Sequence, residues 1–261
     1  MSQWTFTTYA CADRIGTITI NRPDKLNALN DAVMADIDAA FAHAKADPAC
    51  GVVILTGAGE KAFVAGADIA ELAKQTVRGG KEKSLRGQAI LARIEQLGKP
   101  VIAMINGYAF GGGLELALAC TLRTMADSTK VGLPEVSLSI IPGYGGTQRL
   151  PRIIGRGRAL EMILTGNPID AATAERWGLV NRVAPAAGLR AATEELAKAM
   201  LTRGPLALAM ATEAVQRGTE TSLEEGLRIE CDLFGIISST QDMREGLGAF
   251  LEKRKATFKG E

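Results

Sequence analysis

The stretch from Pro100 to Cys120 restricts the fold more than any other part of the chain. Val101-Ile102-Ala103-Met104-Ile105 is an unbroken apolar run of strand length, the pattern of a strand covered on both faces. Gly111-Gly112-Gly113 then leads into Leu114–Cys120, where Glu115 is the sole ionisable residue. A buried strand that passes through glycines into a helix fit for full burial belongs in an α/β core.

The rest of the chain fits that class. Trp4–Tyr9 and Ile15–Ile20 alternate and predict two strands joined by a turn near Asp13 and Gly16. Val33, Met34, Ile37, Ala40, Phe41 and Ala44 mark one side of a helix over 31–47. Gly51–Thr56 reads as a buried strand and Phe63–Asp68 as a further short one. Lys74–Ser84 is polar, contains Gly79-Gly80, and reads as a mobile loop or a helix end. Leu85–Leu97 predicts a helix closed by Gly98. Leu122–Ala126 and Lys130–Val131 read as strands, and Gly145–Ile154 as a turn entering a helix. The strand–strand–helix unit thus recurs without a sequence repeat. From Ala171 onward the pattern is helical, with Pro205 suited to a first helical position and Thr221–Glu224 spaced as a capping box. Gly246 and Gly248 are expected to loosen the last helix.

Totals narrow the chemistry. In 261 residues, Lys plus Arg number 30 and Asp plus Glu 29, so no basic face announces nucleic acid. The only histidine, His43, falls beside an apolar stripe and is expected at the surface, which disfavours a Ser-His-Asp hydrolase or a histidine-rich metal site. Cys11, Cys50, Cys120 and Cys231 form no CxxC pair and read as free thiols of a reducing compartment. No apolar run reaches membrane-spanning length, and the first residues lack a signal-peptide pattern. A cytoplasmic protein without metal is the expectation. Gly57-Ala58-Gly59 follows a strand but lacks the third glycine of a dinucleotide fingerprint.

Three groups could carry chemistry. The first amides of the helix after Gly111-Gly112-Gly113 have no internal acceptor and favour developing negative charge, as an oxyanion hole requires; the glycines could equally serve close packing alone. Glu115 stands three residues after Gly112, on the same helix face, where an uncompensated carboxylate would cost several kcal/mol, roughly. It could instead be a helix-start glutamate that answers the dipole. Glu135, after Pro134, is again flanked by apolar residues, although a Pro-Glu pair is also a common surface turn. Two such glutamates suit acid/base work, because burial and mutual repulsion raise at least one pKa. In Ala65-Gly66-Ala67-Asp68-Ile69 a loop amide could face the helix amide, with the Asp68 side chain capping a helix over 69–75.

These pieces together resemble the crotonase (enoyl-CoA hydratase/isomerase) superfamily. The resemblance runs through Asn21-Arg22-Pro23, Leu26-Asn27-Ala28-Leu29, 63–69, 106–120, Pro134-Glu135, 141–150 and 250–258. It implies a spiral of repeated ββα units over residues 1–200. It also implies a helical C-terminal region, 201–261, that builds homotrimers or hexamers. It maps the oxyanion-hole amides onto Ala67 and Gly112 and the two catalytic glutamates of the hydratases onto Glu115 and Glu135. It implies substrate or coenzyme A contacts at Lys25, Leu26, Ala28, Ala65, Asp68, Ile69 and Gly143. Basic Lys253, Arg254 and Lys259 would reach the CoA phosphates, possible also as mere solvated charge. The implied substrate is an acyl-CoA thioester, so CoA comes as part of the substrate and no cofactor is called for. The activity implied is hydration of a trans-2-enoyl-CoA, with Δ3,Δ2-enoyl-CoA isomerisation or a specialised acyl group as the alternative. Two departures stand out. Thr121 replaces a usual acidic residue, with local packing effects expected. Val131 replaces a frequent phenylalanine, with a reshaped acyl pocket expected.

Overall fold

The structure, a computed structural model, describes residues 4–261. β1 (Thr7–Ala12) and β2 (Ile15–Ile20) form an antiparallel hairpin, followed by α1 (Asp31–Ala46). The unit then repeats. β3 (Val52–Gly57) and β4 (Ala62–Val64) precede α2 (Ile69–Leu72) and α3 (Val77–Glu95). β5 (Val101–Ile105) and β6 (Tyr108–Phe110) precede α4 (Gly112–Leu118). β7 (Leu122–Ala126) and β8 (Lys130–Gly132) lead through a 3-10 turn, Glu135–Leu138, to α5 (Gly146–Ile154) and α6 (Arg156–Thr165). β9 (Ile169–Asp170), α7 (Ala171–Arg176) and β10 (Arg182–Ala184) finish the sheets, and α8 (Leu189–Leu201), α9 (Pro205–Gly218), α10 (Leu223–Ile237) and α11 (Gln241–Leu251) close the chain.

Both strands of the first hairpin join one sheet; in the later units the first strand joins that sheet and the second joins another. The larger sheet runs β1-β2-β3-β5-β7-β10, parallel from β2 onward, and the smaller runs β4-β6-β8-β9. After the first hairpin each unit therefore advances both sheets by one strand, which is the ββα spiral expected from the sequence. Strand periodicity explains the unbroken apolar runs. Val53 and Leu55 face the main core with Ile37, Phe41 and Leu91, whereas Val52 and Ile54 face Leu189 and Ala197 of α8. Both faces are covered, so alternation disappears from the sequence.

The C-terminal helices differ. α9 and α10 contain no fully buried residue, and α11 buries only Asp242 and Ala249.

Several local expectations shift. The hairpin turn sits on Asp13 and Arg14, whose φ values are 51° and 64°, while Gly16 lies within β2. The segment 63–68 is strand only as far as Val64. The polar stretch 74–84 is no loop: α3 starts at Val77, capped by Thr76 Oγ1, which accepts from the Gly79 amide at 3.1 Å. Its charges face solvent, while Lys83, Gly87, Ile90, Leu91 and Ile94 turn inward. α2 ends at Leu72, not 75. The N-cap of α10 is Ser222 rather than Thr221, with its hydroxyl accepting from the Glu225 amide at 3.3 Å. Gly246 does not loosen α11; it leaves room for the ring of Phe258, which packs against it. His43 is exposed, as expected, and lies edge-on to Trp4 and Tyr9.

Candidate functional site

The three parallel strands β4, β6 and β8 stand side by side, so their C-terminal ends open at one edge. Ala65-Gly66-Ala67 follows the first, Gly111-Gly112 the second and Leu133-Pro134-Glu135 the third. Ligand sites of α/β sheets collect at such ends. Here they border a cavity of about 880 Å³, lined also by Glu115, Ile69, Gly143 and Tyr144.

Two amides are framed for an acceptor. Leu29 N donates to Gly66 O at 2.8 Å and Asp68 N to Leu29 O at 2.8 Å. Ala67 lies between these two bonds, and its own amide has no acceptor among the described residues. Gly111 N donates to Gly132 O at 2.9 Å and Glu115 N to Gly111 O at 3.0 Å. Gly112, between them, opens α4, where a helix supplies no acceptor. The turn into α4 needs glycine at 111. Its φ of 52° with ψ of −125° is closed to side chains, and a Cβ there would stand 3.0 Å from Glu135 Oε1.

The two glutamates have opposite surroundings. Glu115 is buried, and its Oε1 accepts from the amides of Tyr144 and Gly146, each at 2.7 Å. Burial pushes its pKa up; those amides and the Arg149 cation pull the other way. Arg149 is itself held, donating to Tyr144 O at 3.1 Å and pairing with Glu95 at 2.9 Å. Glu135 is 9% exposed, and its Oε2 has no hydrogen-bond partner among the described residues. Burial, with the neighbouring Glu115 charge, raises its pKa to about 7. Burial thus raises the pKa of both carboxyls, but only Glu115 has amide donors and a cation that favour its charge, whereas Glu135 is poised to carry a proton near neutrality.

Of the residues named from the sequence, Glu115, Glu135, Ala67, Gly112, Ala65, Ile69 and Gly143 line this cavity. Lys25, Leu26, Ala28, Asp68, Lys253 and Lys259 do not. Lys25 and Leu26 are exposed beside it in sequence, and an isolated parallel bridge ties Leu29 to Ala67. Asp68 caps α2 through the Ala70 amide at 3.1 Å, as expected, and also pairs with Arg22 at 3.0 Å. Arg22 lowers its pKa and donates to Ala28 O at 3.1 Å, so it fastens the two loops together. Lys253 and Lys259 are exposed, whereas Arg254 is engaged by Glu245 and Glu252. Val131 lies buried in the core, paired with Ala109 and Ile169, and is not among the residues that line the cavity. Thr121 has a packing role: its hydroxyl accepts from the Val101 amide at 3.1 Å.

Sequence reasoning missed the turn that holds Glu115. Gly143-Tyr144-Gly145-Gly146 was visible as a motif, but nothing in it told that two of its amides would point at a glutamate about thirty residues earlier. It also missed Lys83, buried and paired with Glu71 at 2.6 Å and Asp31 at 3.2 Å, which fastens α2 and α1 to α3. A wider groove of about 1340 Å³ lies between α3, α5 and the α9–α10 pair. It contains neither Glu115 nor Glu135, so chemistry rather than size points to the first cavity.

Comparison with known proteins agrees with this geometry. The profile of a family described as enoyl-CoA hydratase/isomerase matches residues 11–261. The chain is 43% identical to a crotonyl-CoA hydratase of Syntrophomonas wolfei, over 94% of this chain and 95% of that protein. It is 41% identical to a short-chain-enoyl-CoA hydratase of Clostridium acetobutylicum, over 93% of each. The crystal structure of an enoyl-CoA hydratase from Bacillus anthracis superposes with a TM-score of 0.94 at 41% identity, covering 98% of this chain and 100% of that one. Fold, motif order and relatives coincide: the chain belongs to the enoyl-CoA hydratase/isomerase (crotonase) family.

Proposed function

We propose that this protein is an enoyl-CoA hydratase, which adds water across the double bond of a trans-2-enoyl-CoA to give a 3-hydroxyacyl-CoA. The observation that carries the reading is the pair of glutamates with opposite surroundings, opening on the same cavity as two framed amides. The amides of Ala67 and Gly112 would receive the thioester oxygen and stabilise the enolate-like charge, each donor worth roughly 3 kcal/mol in such sites. Glu115, whose charge the Tyr144 and Gly146 amides and Arg149 favour, would take a proton from water as the oxygen bonds to C3. Glu135, carrying a proton near neutral pH, delivers it to C2. Proton exchange with solvent then resets the two carboxyls. CoA enters as part of the substrate, and the step as written calls on no metal or redox cofactor.

Lys25, Leu26, Ala28, Ala65, Asp68, Ile69 and Gly143 are read as the substrate-binding rim. Lys253 and Lys259 would serve CoA phosphates only across a contact between copies, since neither borders this protomer's cavity. We read 201–261 as the oligomerisation region of a homotrimer or hexamer. Leu223, Leu227, Phe234, Leu247, Phe250 and Leu251, all exposed in the single chain, support this. A cytoplasmic location accords with four unpaired cysteines, and no described helix is long and apolar enough to cross a membrane.

The test is crotonyl-CoA hydration by the wild type and by E115Q. A loss on the order of 10²–10⁴ in kcat is expected for removal of an acid/base group. Near-wild-type turnover in a folded E115Q would remove Glu115 from the chemistry. Accumulation of 2-enoyl-CoA from a 3-enoyl-CoA, without hydration, would favour isomerase over hydratase.

A further inference from the structure

Along one wall of the cavity, α3 and the segment Gly143–Tyr144 are joined in a seam by hydrogen bonds. Ser84 Oγ donates to Gly143 O at 2.5 Å, and Gln88 Nε2 donates to the same carbonyl at 3.0 Å. Beside them the Tyr144 ring lies directly over Gly87, so closely that any Cβ at 87 would collide with it. Glycine in the middle of a helix costs roughly 0.5–1 kcal/mol against alanine, and here it makes room for an aromatic ring. The opposite edge of the ring is 3.6–3.7 Å from where a Cβ on Gly112 would be. The ring therefore spans from α3 to the start of α4, and the backbone of the same residue donates to Glu115.

We propose that Tyr144 is a specificity-determining residue that ends the acyl pocket and restricts the enzyme to short 2-enoyl chains. The proposal rests on the hydratase reading above. A thioester oxygen at Ala67 and Gly112, with C2 and C3 between the glutamates, leaves the acyl tail heading along Tyr144 towards the Ser84–Gly143 seam. Beyond the ring the surroundings do not suit an apolar chain. The charges acting on the Tyr144 hydroxyl come from Lys83, Asp31, Glu115 and Arg86; Lys83 and Arg86 both pair with Asp31 away from the glutamate. Leu72, Ile140, Ile141 and Pro142 line the cavity and supply the apolar contact that a few carbons need. A wall of this kind acts per methylene: one carbon too many in a fitted apolar pocket costs about 10- to 200-fold.

The experiment is kcat/KM for trans-2-enoyl-CoA of four, six, eight and ten carbons, with wild type, Y144A, Y144L and Y144F. The wild type should lose tenfold or more from four to ten carbons. Y144A and Y144L should each raise the ten-to-four ratio tenfold or more, while Y144F, which keeps the ring, retains the wild-type ratio. A general loss of packing would lower all chain lengths together and leave the ratio where it was. A flat wild-type profile, or an unchanged ratio in both truncated variants, overturns the proposal. Hydration of no chain by the wild type would instead refute the hydratase reading. In that case calorimetric Kd values for butanoyl- and decanoyl-CoA read the wall without chemistry, and equal affinity in wild type overturns it.

Discussion

Glu135→Gln should make the folded protein more stable at alkaline pH and cripple the reaction at the same time. Glu135 is held near pKa 7 instead of the ordinary 4.5 because burial and Glu115 oppose its charge. That gap corresponds to about 3 kcal/mol. Below pH 4.5 the carboxyl is neutral in both folded and unfolded chains and costs nothing electrostatically. Between 4.5 and 7 the unfolded chain ionises first, so folding stability falls as pH rises, and above 7 the full cost is present. Glutamine is neutral throughout. Its amide adds an unpaired donor beside Gly111, costing about 1–3 kcal/mol, but equally at every pH. The difference in stability between E135Q and wild type should therefore grow in favour of the variant by about 2–3 kcal/mol from pH 5 to pH 8.5. At about 2–4 °C per kcal/mol for a chain of this size, that is a relative gain of about 4–12 °C in Tm. Thermal melts of both proteins at fixed concentration across that range measure it. Hydration of crotonyl-CoA by E135Q should fall on the order of 10²–10⁴. Melting curves that stay parallel across the pH range would refute the buried, proton-holding state of Glu135, whatever the activity.

Two further outcomes follow from contacts already described. R149M removes the cation that favours ionised Glu115 and frees the Tyr144 carbonyl, so the acid limb of kcat/KM should move to higher pH. Glu135, whose charge also acts with Glu115, is unchanged, while Glu95 loses its cation and would push the limb the same way; a lowered rate with an unmoved limb would reduce Arg149 to a packing role. G111A forces a side chain into a conformation of φ 52° and ψ −125° beside Glu135. It should cost about 1–3 kcal/mol in urea unfolding and disturb the second amide, whereas wild-type stability in G111A would mean that the turn is not constrained as described.

How much of this was legible depends on where each partner lies in the chain. Glu115 was visible because one charge interrupts an otherwise apolar helix, and the amide of Gly112 because it opens that helix. Glu135 and the 65–69 loop were weaker candidates, a Pro-Glu pair and a run of small residues, and the resemblance assigned the roles of Glu135 and Ala67. The support of Glu115 was not legible: Tyr144, Gly146, Arg149 and Glu95 are distant in sequence, and no periodicity links them. The start of α3 was hidden for a different reason. Its first two turns carry Gly79-Gly80 and no apolar stripe, and a cap at Thr76, the Arg78–Glu82 pair, the Lys83 ion pairs and packing of the later turns hold them helical. Local propensity lost to tertiary context there. Gly87 shows the reverse, a residue that weakens its own helix and makes sense only beside Tyr144.

The side-by-side ends of β4, β6 and β8 have a consequence for how such a site can be altered. Neighbouring hydrogen-bonded strands are spaced at roughly 4.8 Å, so the sheet itself acts as a ruler for the distances among the loop amide, the helix amide and the acid. The ruler lies largely behind the chemistry, with Phe110 of β6 reaching the cavity wall. Each group hangs from its own rung, so one can be exchanged while the other two keep their station. A slip of a single rung would put all three out of step at once.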